Sequence, residues 1–209
     1  MNKNNRTLLL GIILIGVAGY LSWSWLSGPD IRNLDSSGTT IVAFGDSLVQ
    51  GVGSTAGRDI FSLLSDRIGQ PIVNLGVSGD TTEAALSRLQ SVLDEDPRLV
   101  IILLGGNDYL KRVPIDTTFE NLGTIIQRIH ESGAAVLLLG VRGGLLRDTY
   151  NERFEEFAEE HRVGFVPNVL DGLIGDSRYM SDAIHPNSAG YALIADKIEP
   201  VLKEMLDQR

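Results

Sequence analysis

Ser47 follows Gly45 and Asp46 at the end of the apolar run TIVAF (40–44). A serine hydroxyl is a weak nucleophile at neutral pH and needs a base to take its proton. The stretch SDAIHPNSAGY (181–191) supplies one, with Asp182 three residues before His185. Across a short turn the carboxylate reaches the ring nitrogen facing away from the serine, which fixes the tautomer and stabilises the imidazolium that forms. Acyl transfer also needs preorganised donors where negative charge develops on the carbonyl oxygen. Three candidates are the N–H of Ser47, the N–H of Gly79 in GVSGDTT (76–82) and the side-chain amide of Asn107 in GGNDYL (105–110). Each residue type is also an ordinary turn former, so the chemistry depends on whether the fold gathers them. The other two histidines compete poorly: His130 ends an amphipathic stretch and His161 sits in the charged run FAEEHR, both expected as solvated surface.

The elements that must position these residues alternate along the chain. Apolar runs at 40–44, 72–75, 99–104, 135–139 and 163–166 are continuous rather than period-two, as for strands covered on both faces. Helix-like stretches lie at 58–68, 82–94, 117–131, 149–161 and 187–206; the third carries an apolar stripe of Phe119, Leu122, Ile125, Ile126 and Ile129. Alternation with short loops predicts an α/β fold, a parallel sheet with helices on both faces in three α/β/α layers. Ligands of such sheets bind beyond the carboxyl ends of the strands, near the switch in strand order. Ser47, Gly79 and Asn107 follow the first, second and third strands, so their loops should meet at one edge. Asp46, Asp80 and Asp108 are expected to organise these loops. No G-x-G-x-x-G or Walker pattern follows the first strand, which argues against a nucleotide site.

Composition narrows the partners. The 209 residues carry a formal charge of -9, which disfavours nucleic acid. Absence of cysteine removes thiolate nucleophiles and cysteine-ligated metals. Residues 7–26 are uncharged and apolar, long enough to cross a bilayer, with Lys3 and Arg6 before them and Trp23 and Trp25 at the far end. They read as an uncleaved membrane anchor; a cleaved signal sequence is the alternative. Either places the later domain outside the cytoplasm, in the periplasm or at the cell surface. The organisation expected is 1–27 anchor or signal, 28–37 linker and 38–209 catalytic domain.

Taken together, GDSL (45–48), GVSGDTT (76–82), GGND (105–108) and DAIHP (182–186) resemble, in order, the blocks of the SGNH hydrolases, or GDSL esterase/lipase family. The likeness is greatest to the branch of thioesterase I, lysophospholipase L1 and arylesterase. The resemblance implies a flavodoxin-like sheet of about five parallel strands and a serine hydrolase of carboxylic esters or thioesters. It implies Ser47 as nucleophile, His185 as base, Asp182 as its partner, and Ser47, Gly79 and Asn107 as oxyanion donors. It also implies no metal or cofactor and a small-molecule ester or thioester substrate; the chain is expected to be a monomer. Tyr109, Leu110, Val113, Leu145 and Leu146 are expected to give the acyl pocket some apolar lining. The segment VRGGLLRDTYN (141–151) departs from the close relatives, so their chain-length preference does not carry over. A carbohydrate O-acetylesterase and a non-catalytic binding module are the alternatives.

Overall fold

The computed structural model describes residues 30–141 and 149–208. Its strands are β1 (Thr40–Gly45), β2 (Ile72–Gly76), β3 (Pro97–Leu103), β4 (Ala135–Leu139) and β5 (Gly164–Val166). They form one parallel sheet in the order β2-β1-β3-β4-β5. Every residue of β3 and β4 is buried, which is why these runs are continuously apolar. Gly45 at the end of β1 pairs with Gly76 of β2 and with Leu103 of β3. Those three strands therefore end level, and the loops that follow leave from the same edge. The order reverses at β1 and β3, which makes the space between their ends the switch point of the sheet.

The helices are α1 (Ser47–Gln50), α2 (Ile60–Ile68), α3 (Thr82–Ser87), α4 (Gln90–Leu93), α5 (Gly106–Leu110), α6 (Ile115–Glu131), α7 (Thr149–Glu160) and α8 (Ser188–Asp207). Right-handed crossovers put α2 on one face and the later crossover helices on the other, because the chain turns back after β2. The packing agrees: α2 lies on α8, and α3 lies on α6. Phe119 of α6 stacks edge-on to Phe154 and Phe157 of α7, with centroids 5.0 and 5.1 Å apart. The expected stripe of α6 is buried along its length. This is the three-layer α/β fold expected from the alternation.

Three local departures have physical causes. The stretch expected as one helix over 82–94 is two, α3 and α4, broken where Arg88 leaves helical geometry at φ -110° and ψ 12°. Of His130 and His161, both expected on the surface, the first is buried and the second only partly exposed. His130 is 5 % exposed, and His161 stacks on Phe157 with centroids 4.2 Å apart. Burial pulls the His130 imidazole down to about 4, helped by the nearby charges of Arg32, His161 and Arg162. The cover over His130 comes from the segment expected as linker. Arg32 N–H donates to the Arg162 carbonyl at 2.9 Å, and Asn33 Nδ2 donates to the carbonyls of His130 and Ala134 at 2.9 and 3.1 Å. Ile31 and Leu34 pack against the core, and the compact unit of the chain begins at Ile31. Among the described residues no helix is long and apolar enough to cross a membrane; the apolar stretch 7–26 lies outside them.

Candidate active site

Ser47 begins α1 immediately beyond β1. The approach is close: a Cβ on Gly45 would collide with the carbonyl of Leu103 and the side chain of Val49. Asp46 caps the helix, its Oδ1 accepting from Leu48 N–H at 3.0 Å. This carboxyl is buried, and burial pushes it up to about 6 against the opposing effects of that N–H and of His185.

The imidazole arrives from the loop before α8. Ser181 N–H and Oγ both donate to the His185 carbonyl, at 2.9 and 3.0 Å. Asn187 caps α8, accepting from Ala189 and Gly190 N–H at 2.9 and 3.1 Å. Within this loop Asp182 Oδ1 accepts from the N–H groups of Ile184 and His185, each at 2.8 Å. Its other oxygen, Oδ2, lies 2.7 Å from His185 Nδ1. Those contacts, the Ile184 N–H foremost, hold the carboxyl down at about 2. His185 Nε2 in turn lies 3.0 Å from Ser47 Oγ. A carboxylate, an imidazole and a hydroxyl thus form one continuous hydrogen-bonded relay, joining residues 138 positions apart in the chain. Such a relay can withdraw the serine proton as the oxygen attacks a carbonyl.

The other two loops leave the same edge of the sheet, and Asn107 lines the same cleft as Ser47. Gly79 has φ +84°, a left-handed conformation that side chains resist, and among the described residues a Cβ there would meet no atom beyond its chain neighbours within 4 Å. The glycine is required by its backbone angle rather than by crowding. Asn107, in α5, donates from Nδ2 to the Asp80 carbonyl at 3.0 Å and to Asp46 Oδ2 at 3.3 Å. The neighbouring Asp108 is fully buried and accepts from Thr82 N–H at 2.9 Å and Thr82 Oγ1 at 2.6 Å, which ties α5 to the start of α3. The three aspartates organise the loops as expected. Among the described residues, the N–H groups of Ser47 and Gly79 have no protein acceptor.

A cleft of about 400 Å³ opens beside Ser47 and His185. Asn107, Tyr109 and Leu110 border it as expected, whereas Val113 does not. Leu145 and Leu146 lie outside the described residues. Leu170, Ile174 and Ile184 also line the cleft and were not singled out from the sequence. The signal available for the first two was positional: NVLDG (168–172) leaves the carboxyl end of β5 just as the other loops leave theirs. Among the described residues five large apolar side chains are exposed, and four of them, Tyr109, Leu110, Ile174 and Ile184, are on this cleft. Apolar surface concentrated at one concavity marks a ligand surface rather than chance exposure. No group of three or more acidic or histidine side chains able to hold a metal ion occurs among the described residues.

The family model described as GDSL-like Lipase/Acylhydrolase matches residues 43–193, from β1 to the first turns of α8. The chain belongs to this family. Esterase TesA of Pseudomonas aeruginosa is 31% identical over 179 residues, covering 80% of this chain and 89% of that protein. An arylesterase of Vibrio mimicus is 32% identical over 178 residues, covering 79% and 89%. Among solved structures, the psychrotrophic esterase EstA from Pseudoalteromonas, inhibited by monoethylphosphonate, superposes with a TM-score of 0.72 at 26% identity, covering 81% of this chain and 99% of that one. As a member of the GDSL-like acylhydrolases the chain is a hydrolase acting on ester bonds, on the fold its sequence implied.

Proposed function

We propose that the chain is a serine esterase in which Ser47 is acylated and then freed by water. His185 Nε2 takes the proton of Ser47 Oγ as that oxygen attacks the acyl carbonyl. Asp182 keeps the proton of the neutral imidazole on Nδ1 and stabilises the cation that forms. The carbonyl oxygen becomes an oxyanion held by the N–H groups of Ser47 and Gly79 and by Asn107 Nδ2. Of the two bonds that Nδ2 makes, the longer one, to Asp46, is the one exchanged for the oxyanion. The intermediate collapses, His185 passes its proton to the departing alcohol or thiol, and a water deprotonated by His185 releases the carboxylic acid. No step draws on a metal or cofactor.

The observation that carries this proposal is the unbroken relay from Asp182 through His185 to Ser47, at 2.7 and 3.0 Å, on the wall of an apolar cleft. The cleft argues for acyl groups longer than acetyl, in the arylesterase, thioesterase or lysophospholipase class, because acetyl alone would leave Leu110, Ile174 and Ile184 uncovered. Tyr109 and Leu110 are assigned to the binding of that acyl chain. An extracytoplasmic location, with residues 1–27 as anchor or signal, is supported by the uncharged run 7–26 behind Lys3 and Arg6.

A hydrolysis panel tests the activity. p-Nitrophenyl esters of two to ten carbons, acyl-thioesters, lysophospholipids and acetylated sugars are compared, each with wild type and Ser47→Ala. The expected result is turnover rising from acetyl to medium-chain esters and lost in Ser47→Ala. Preference for acetylated sugars would transfer the substrate to the O-acetylesterase class, and full activity in Ser47→Ala would overturn the mechanism.

A further inference from the structure

We infer that Arg88 is a positioning residue of the oxyanion site, bolting the loop that carries Gly79 to the strand that ends beside Ser47. This rests on the assignment of Ser47, Gly79 and Asn107 as the oxyanion donors.

The guanidinium of Arg88 makes three contacts among the described residues, one beside Gly79 and two on the strand that leads to Ser47. Its Nε donates to Asp80 Oδ2 at 2.6 Å, and Asp80 directly follows Gly79. Its Nη2 donates to the carbonyl of Gly45 at 3.0 Å, two residues before Ser47. Its guanidinium carbon sits 4.5 Å from the centroid of the Phe44 ring, inside the same strand. One rigid planar cation therefore spans the gap between the strand end and the glycine loop. Asp80 completes the junction, because its backbone carbonyl is also the 3.0 Å acceptor of Asn107 Nδ2. Arg88 and Asp80 together thus link the strand end before Ser47, the residue after Gly79 and the amide of Asn107. Other ties also hold the glycine loop: Ser78 N–H, directly before Gly79, donates to Gln50 Oε1 at 3.0 Å. Val77 N–H donates to the same Gly45 carbonyl at 2.9 Å, at the near end of the loop, and exposed Lys111 Nζ donates to the Gly79 carbonyl at 2.8 Å from outside.

Charge gives a second reason. Asp80 and Asp108 both stand close enough to act on Asp46, and Asp80 is buried. Negative charge is the wrong sign beside a developing oxyanion. Arg88 is the partner that offsets Asp80 and keeps its carboxylate turned inward. A lysine could neutralise the charge, but it lacks the fork that reaches both Asp80 and Gly45. Arg88 stands at the backbone break that ends α3.

The test uses the full chain with p-nitrophenyl butyrate, measuring kcat, KM and thermal midpoint for Arg88→Met, Arg88→Lys and Arg88→Met/Asp80→Asn. Arg88→Met keeps an unbranched apolar side chain and removes the fork, along with the guanidinium that lies over Phe44. Its kcat is expected to fall about 10–100-fold with KM within about twofold, since displaced donors cost transition-state stabilisation selectively. Arg88→Lys should recover only part of that loss. The double variant should regain thermal stability, because no charge is left unpaired, while kcat stays low. Wild-type kcat in Arg88→Lys would overturn the inference, as would recovery of kcat together with stability in the double variant. Ser47→Ala runs alongside. If it is inactive while the Arg88 variants keep wild-type kcat, the inference fails alone; if it is fully active, the underlying mechanism fails and the inference with it.

Discussion

Replacing Asp182 by asparagine should harm the enzyme more than replacing it by alanine, and the geometry of the loop says why. Oδ1 of Asp182 accepts from two backbone N–H groups, those of Ile184 and His185, each at 2.8 Å. In Asp182→Asn those donors hold the amide oxygen in the Oδ1 position, since an NH₂ group there would face two donors. The new NH₂ must then point at His185 Nδ1, where Oδ2 now lies at 2.7 Å. Donating to Nδ1, it forces the ring proton onto Nε2, so the ring presents N–H instead of a lone pair to Ser47 Oγ. The base is lost, and a tautomer trap of this kind is worth about 10⁴ in kcat. Asp182→Ala removes the orienting carboxylate without imposing the wrong tautomer. The carboxylate is 53% exposed, so water screens part of its electrostatic effect, and the loss in kcat should be nearer 10²–10³, as for removal of a single electrostatic contact. Stability should rank the other way, because asparagine keeps both backbone acceptor bonds and alanine forfeits them, at about 1 kcal/mol each at most. Steady-state kinetics with p-nitrophenyl butyrate, with thermal midpoints measured in parallel, decide the matter. An asparagine variant within tenfold of wild type, or more active than the alanine variant, would refute the tautomer argument.

Three further outcomes are expected. Gly79→Ala should cost about 1–2 kcal/mol of stability from the left-handed backbone at φ +84°, and relief of that strain should shift the donor and lower kcat at least tenfold; unchanged kcat would remove Gly79 from the site. Tyr191 is fully buried and its hydroxyl donates to the Val52 carbonyl at 2.7 Å, so Tyr191→Phe should lose about 1–3 kcal/mol in urea unfolding, and an unaltered midpoint would contradict that bond. His130 is held near 4 against an ordinary 6.5, so the unfolded chain takes up its proton first. As pH falls from about 6.5 to 4 the fold should lose up to about 3 kcal/mol, fully lost below the folded value. His130→Gln should flatten this acid limb in pH-dependent denaturation, and a curve parallel to wild type would show that another group governs it.

Much of the active site could be read in the sequence because its chemistry is carried by residue type at strand ends. Continuous apolar runs such as 99–104 and 135–139 could only be covered strands, and once they alternate with helices their carboxyl ends must share an edge. That places Ser47, Gly79 and Asn107 together, and the Asp182–His185 spacing fits a turn. Arg88 was not legible, because its partners, Gly45 and Asp80, lie 43 and 8 residues away and nothing in the pattern of 82–94 signals a break. The burial of His130 was not legible for a similar reason. Its place at a helix end predicts solvent, but Asn33, 97 residues earlier, brings a cover that local periodicity does not encode. Leu170 and Ile174 belong to an irregular loop, where apolar side chains have no period to reveal which way they face.

The central claim is that Ser47 becomes covalently acylated because His185 lies within reach of its hydroxyl. Incubation with a p-nitrophenyl phosphonate, followed by intact-mass measurement and peptide mapping, addresses it directly. One phosphonyl group per chain, located on Ser47, absent from Ser47→Ala and greatly slowed in His185→Ala, is the predicted result. A folded protein that hydrolyses esters yet carries no adduct on Ser47 would contradict the account.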